Sequence, residues 1–324
     1  MRVFCPAVLA LLAGLVLAGC GGGSSEQAGT TTTAPTTALA TTAQKPAQKQ
    51  GLFDYDRSAP LAFRDKGDVN PAYPIRVHDV SFAGPKGRVT GYLVLPPVKG
   101  RRPAIIYMHG SGGNRTEFLA PAGWLAARGA IGLTLDSPEA RSSEPIAAGL
   151  KGLRQQRDLT AQAIVELRRA VDLLQRRPDV DPNRIAYVGW SYGARTGALL
   201  AGMEHRIRSF DLMSGGALPP EAYAKLAPPK LRTAVRTTLT SIDPLRYVAR
   251  SAPSSLLLQD GRRDSIVPRK ALLDLARAAG KPKSVRWYAA GHAPNAREYR
   301  EAIAWLSGRL GLHGVVVKGV STGP

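Results

Sequence analysis

Apolar positions follow two periods along residues 75–310. Ile75–Phe82 (IRVHDVSF) and Val89–Leu95 (VTGYLVL) alternate or cluster β-forming residues around the turn Gly84-Pro85-Lys86-Gly87, which predicts a hairpin. Ala104–Met108 (AIIYM) and Ala130–Leu135 (AIGLTL) are short apolar runs of the kind buried strands present. Between them, Phe118–Arg128 has helical spacing and stops at Gly129. The longest helical pattern is Leu153–Arg177, where Ile164, Leu167, Val171 and Leu174 share one face and Pro178 ends it. Further on, strands are predicted at Arg184–Gly189, Ile207–Met213, Ser255–Gln259 and Ser284–Tyr288, with helices at Ala194–Met203, Pro268–Ala279 and Ala296–Leu310.

An opening hairpin followed by alternating strands and helices predicts an α/β fold. Its sheet should be mostly parallel, with helices on both faces. Gly215–Arg250 is the one sizeable interruption and is long enough for a small helical cap. No internal repeat is visible. One domain over residues 51–312, with a tail at 313–324, accounts for the length.

The first fifty residues follow neither period. Residues 1–19 place Arg2 before an apolar run, and the run ends in small residues at Cys20. It is too short for a lasting membrane span and is expected to be a cleaved export signal. The ending Leu17-Ala18-Gly19-Cys20 resembles the bacterial lipobox, which implies a diacylglyceryl group on the Cys20 thiol and an extracytoplasmic, lipid-anchored protein. The Thr- and Ala-rich residues after Cys20, up to residue 50, contain no aromatic residue, so they predict a flexible tether. Cys5 and Cys20 are the only cysteines, so the folded part has no disulfide framework and no Cys-based metal site.

Charge first suggests another partner. The formal net charge is +20, carried mostly by arginine, and clustered basic residues attract nucleic acid. Here they are spread over nearly every helix and loop (Arg101-Arg102, Arg168-Arg169, Arg176-Arg177, Arg262-Arg263), with no nucleic-acid module. They read as a solvated surface, with attraction to anionic lipid or envelope polymers as the functional alternative. Oligomeric state is not legible.

Chemistry gathers at Gly189-Trp190-Ser191-Tyr192-Gly193, a G-x-S-x-G pattern set between a strand and a small-residue helix. A sharp strand-to-helix turn would lift the Ser191 hydroxyl above the sheet edge. Such a hydroxyl needs a histidine to take its proton and a carboxylate to orient that histidine. Of five histidines, His292 follows a strand end, whereas His109 opens a Gly-rich loop and His78, His205 and His313 lie elsewhere. Two carboxylates, Asp260 and Asp264, follow the strand Ser255–Gln259. Asp264 sits further into the loop and is the better placed, while Asp260 could cap the turn.

With its order Ser191, Asp264, His292 and its contexts HGSGG, GWSYGA, GRRDSIVP and AGH, the region Ile75–Leu310 resembles the α/β-hydrolase superfamily. It is nearest to the dienelactone hydrolase, acetyl xylan esterase and prolyl-oligopeptidase-like branch. The resemblance assigns the acid to Asp264 and implies an oxyanion hole from the backbone N–H groups of Ser111 and Tyr192. Two positions depart from that branch. Dienelactone hydrolases proper use cysteine where this chain has Ser191, and the common Gly-Gly is Gly193-Ala194. The expected activity is carboxylic-ester hydrolysis through an acyl-enzyme, without metal or cofactor. A peptidase, an acyltransferase of the same fold and a catalytically silent envelope-anchored module are the alternatives.

Overall fold

The computed structural model describes residues 51–72, 74–312 and 320–324. The segments expected to be an export signal, a lipidation site at Cys20 and a tether lie outside the described residues, as do His313 and most of the tail. Nine strands form one sheet: β1 (Arg64–Asp68), β2 (Arg76–Ala83), β3 (Arg88–Leu95), β4 (Arg102–Met108), β5 (Ile131–Leu135), β6 (Val180–Trp190), β7 (Ile207–Met213), β8 (Ser255–Gly261) and β9 (Lys283–Tyr288). Their spatial order is β1-β2-β3-β5-β4-β6-β7-β8-β9. The first three strands and the β3–β5 pair are antiparallel, and every later pair is parallel. This is the mostly parallel α/β sheet with an opening hairpin that the periodicity predicts.

Each parallel crossover is covered by a helix, because a parallel strand buried on both faces must find apolar partners on both. β4 shows the consequence. Ala104, Ile106 and Met108 enter one core, and Ile105 and Tyr107 enter the other. The first core is closed by α2 (Gly149–Arg176), α3 (Tyr192–Ala201) and α7 (Arg269–Ala278), the second by α1 (Leu119–Ala126) and α8 (Ala296–Leu310).

The cap region contains α4 (Pro220–Leu226), a 3-10 turn at Pro229–Leu231, α5 (Arg232–Thr240) and α6 (Pro244–Val248). Leu218, Ala224, Ala227, Val235 and Leu239 give it a small core of its own, which rests on Leu150 and Leu153 at the start of α2.

Three differences from the sequence reading have local causes. β1 was not foreseen, because RDKGD has no apolar alternation; it pairs along β2 at the sheet edge with a shift in register. β6 starts at Val180 rather than Arg184: Val180 pairs with Arg102, and pairing resumes at Ile185, so Asp181–Arg184 form a bulge. The arginines also depart from a uniformly solvated surface. Arg169 on α2 is 5% exposed and donates to the carbonyls of Ala83 (2.6 Å) and Pro60 (2.8 Å), and Arg168 donates to that of Phe53 (3.1 Å). Arg206 bridges Asp172 (2.5 Å) and Glu204 (2.6 Å), and Arg141 reaches the buried Glu166. Carbonyls of an irregular segment need donors, and a guanidinium supplies several in one fork, so Arg168 and Arg169 tie residues 53–60 to α2.

Candidate active site

Ser191 stands between β6 and α3 at φ 54° and ψ −109°, a left-handed backbone that a non-glycine residue adopts only under strain. Its amide donates to Met213 O (2.8 Å), and its carbonyl accepts from Arg195 N (2.9 Å), so strand and helix hold the strained residue from both sides. The turn is tight enough to forbid side chains beside it. A Cβ on Gly193 would collide with the Met108 carbonyl, and one on Gly189 with Gly193 itself. Tyr187 adds a bond from its hydroxyl to Gly193 O (2.7 Å).

Asp264 and His292 lie on the two neighbouring loops at the sheet edge. The β8–β9 ladder does not stop where the strands end. Arg262 N donates to Tyr288 O (2.8 Å), Arg263 N to Ala290 O (2.9 Å) and the Arg263 side chain to Ala289 O (2.6 Å). Gly261 lets the loops approach this closely, since a Cβ there would strike the carbonyls of Gly291 and Ala290. Beyond the His292 loop, Asn295 opens α8 with a reciprocal capping box to Glu298.

The outcome is one hydrogen-bonded line. His292 Nδ1 lies 2.8 Å from Asp264 Oδ2, and His292 Nε2 lies 2.8 Å from Ser191 Oγ. The second carboxylate oxygen, Oδ1, accepts from the amides of Ile266 (2.8 Å) and Val267 (2.9 Å). Burial pushes the Asp264 carboxyl up, but the bond from His292 and those two amides outweigh it and hold the group below the ordinary carboxylate range. An ionised Asp264 can only accept, so Nδ1 carries the imidazole proton and Nε2 is left to accept from the hydroxyl.

Asp260, the other acid weighed from sequence, remains inside β8. It is 2% exposed, its Oδ2 has no partner among the described residues, and burial with the nearby Asp264 and Glu298 charges pushes it up to about 8.

His109 is committed elsewhere. The Ser137 amide donates to its Nε2 (3.0 Å), so Nδ1 carries the proton and faces Gly110 O at 2.6 Å. Burial lowers its pKa, and both ring nitrogens are engaged. His109 thereby ties the Gly110–Gly113 loop to the loop after β5, and Glu117 accepts from Gly110 N (3.1 Å). Ser111 is exposed on that loop, and Tyr192 is the first residue of α3. Neither amide meets a protein acceptor among the described residues. His78 pairs with Asp65 at 2.8 Å in the opening hairpin, far along the chain from this chemistry.

Two contacts were not foreseen. The Trp190 indole N–H (2.9 Å) and the Ser214 hydroxyl (3.0 Å) both donate to the His292 carbonyl. Ser214 has φ 53°, and its amide donates to Gln259 O (2.8 Å). Trp190 is visible in the sequence as a neighbour of Ser191, but not as a donor to the His292 loop. Nothing local marks Ser214, whose partner lies 78 positions away.

The sequence profile of the acetyl xylan esterase (AXE1) family matches residues 65–212, from β1 through most of β7 and somewhat under half the chain. Esterase FrsA from Enterobacter sp. (strain 638) is 26% identical over 182 residues, 56% of this chain. The chain spans only 40% of that relative's length. Among solved structures, acetyl xylan esterase 1 from Thermoanaerobacterium sp. JW/SL YS485 superposes with a TM-score of 0.69 at 20% identity, covering 81% of this chain and 92% of that one. The acetyl xylan esterase from Paenibacillus sp. R4 gives 0.64 at 22% identity, over 77% and 89%.

Proposed function

From the α/β-hydrolase fold that this chain shares with those esterases, we propose that the protein is a serine hydrolase that cleaves carboxylic esters. The observation that carries this reading is the unbroken line from Ser191 Oγ through His292 to Asp264. Ser191 Oγ attacks the ester carbonyl as its proton passes to His292 Nε2. The ionised Asp264 steadies the imidazolium. The amides of Ser111 and Tyr192 donate hydrogen bonds to the carbonyl oxygen as negative charge develops on it, which is where fixed donors gain most. Collapse expels the alcohol with the proton from His292. Water, deprotonated by the same imidazole, then attacks the acyl-enzyme, and Ser191 is released with the free acid.

The AXE1 match and the acetyl xylan esterase folds support an ester over an amide substrate, and they make 4-nitrophenyl acetate the first assay. Wild type should turn it over, and Ser191→Ala should lower kcat by about 10⁴-fold or more. A fluorophosphonate should label wild type and spare the variant. Turnover or labelling that survives the substitution would sink the reading.

The site of action belongs to the same proposal. The Leu17–Cys20 sequence supports export and a lipid on Cys20, with the tether holding the hydrolase domain off the membrane. Metabolic labelling with a fatty acid should mark wild type and fail on Cys20→Ala. Equal labelling of both proteins refutes the anchor.

A further inference from the structure

Arg195 lies one turn into α3, four residues after Ser191. It is half-buried, and its guanidinium makes no hydrogen bond and no ion pair among the described residues. The contrast with Arg141, Arg169 and Arg206, each paired to a carboxylate or carbonyl, is sharp. The guanidinium lies 5.7 Å from the centre of the Tyr192 ring, and Tyr223 of α4 and Glu139 of the loop after β5 are near enough to bear on its charge. The Tyr192 hydroxyl is buried and also lacks an acceptor among the described residues. Arg195 thus lies beside the Tyr192 ring with no hydrogen-bond acceptor or ion-pair partner among the described residues.

Burial lowers the Arg195 pKa, which means that the surroundings penalise its charge. A half-buried cation without a hydrogen-bonding or ion-pair partner fits a site whose anionic partner arrives from solution. Helical side chains lean toward the N-terminus of their helix, and at Arg195 that direction is toward the turn that holds Ser191.

We infer that Arg195 is an anion subsite, and that the preferred ester carries a carboxylate or comparable oxyanion roughly 6 Å, one helical turn, from the bond that breaks. The inference rests on the ester-hydrolase reading and deepens it by naming a substrate class. The net charge of +20 favours the same class, since a positive protein draws anionic esters into encounter.

The charge could sit on either side of the ester bond, and two substrates separate the sides. The 4-nitrophenyl monoester of glutarate carries it on the acyl part, and 4-acetoxybenzoate carries it on the leaving group. For each, kcat/KM is measured against neutral 4-nitrophenyl acetate in wild type, Arg195→Met and Arg195→Lys. The methionine keeps an unbranched apolar stem and removes the charge. The expected result is that one anionic ester exceeds the neutral one by about ten-fold or more in wild type, declining with salt. That ratio should collapse toward one in Arg195→Met and be partly kept in Arg195→Lys. Equal ratios in wild type and Arg195→Met overturn the subsite while leaving the esterase reading intact.

A binding arm is independent of turnover. Monomethyl glutarate should raise the Tm of the Ser191→Ala protein and leave that of Ser191→Ala/Arg195→Met unmoved, each double and single variant being compared with its own ligand-free melt. Equal shifts in the two proteins refute the subsite even if no ester is ever cleaved.

Discussion

The loop edge above β8 and the interior just beneath it hold the same kind of residue under opposite conditions. Asp264 has both oxygens engaged, one by His292 and the other by two amides, and its carboxyl is held low. Asp260, four residues earlier, has an oxygen without a partner among the described residues and is pushed up to about 8. Asp211 on β7 goes further. Both its oxygens lack partners among the described residues, and burial first, with Glu298 second, raises it well above the ordinary value. The difference teaches that a carboxylate becomes useful to chemistry where the chain leaves the sheet, since loop amides can solvate it there. Inside the sheet those amides are spent on ladders, and the acid is stable only when neutral.

Asp264→Asn should have the largest effect. On the proposed mechanism it removes the charge that orients His292 and stabilises the imidazolium, and kcat should fall by about 10³- to 10⁴-fold. A loss below ten-fold would mean that another carboxylate serves the imidazole.

Trp190→Phe comes next. It withdraws one of two donors from the His292 carbonyl, so kcat should fall by about five- to ten-fold, the worth of one hydrogen bond in placing the base. The Ser214 bond should keep the loop folded, so the Tm should move little. A large drop in Tm with kcat intact would make Trp190 a packing residue only.

Asp260→Asn should leave kcat within a few-fold and act on the pH dependence of stability. The Asp260 carboxyl is raised in the fold, so its stabilising contribution is full below its unfolded value near 3.8 and is lost as pH climbs through about 8. Asp264, held low, works in the reverse sense: its contribution is present above pH 3.8 and disappears as pH falls through its depressed folded value. Melting curves from pH 4 to 9 should therefore decline less steeply in Asp260→Asn than in wild type. Identical slopes would show that Asp260 is not held neutral.

The smallest effect is expected at the cap of α8. Asn295→Ala breaks the capping box and should cost about 1 kcal/mol. Chemical denaturation reads that cost, and kcat should follow only as far as the His292 loop loosens.

Local pattern made most of this molecule legible. The strands β2 to β9 and the main helices carry their own periodicity, and the strand–Ser191–helix turn carries glycines whose absence of side chains the geometry demands. Legibility failed where partners are distant in sequence. β1 has no pattern of its own and depends on β2 for its pairing. Ser214 gains meaning only through the His292 carbonyl. The arginines looked alike as a string, but Arg169 works through backbone carbonyls more than eighty positions away, while Arg195 makes no hydrogen bond or ion pair among the described residues and meets only the Tyr192 ring. For the same reason Asp260 and Asp264 could be ordered by loop position alone but not by environment, which the neighbouring loop supplies.

The continued pairing of the β8 and β9 loops has a bearing on timing. Ser191 is in the chain, and its elbow between β6 and α3 can form, a hundred residues before His292 has been synthesised. Asp264 reaches its working position only when Arg262 and Arg263 find the carbonyls of residues 288–290. A chain emerging from the ribosome or crossing a membrane N-terminus first therefore carries an inert serine for most of its passage. On the reading proposed above, activity would begin only with the docking of the last strand, after nearly the whole domain has arrived.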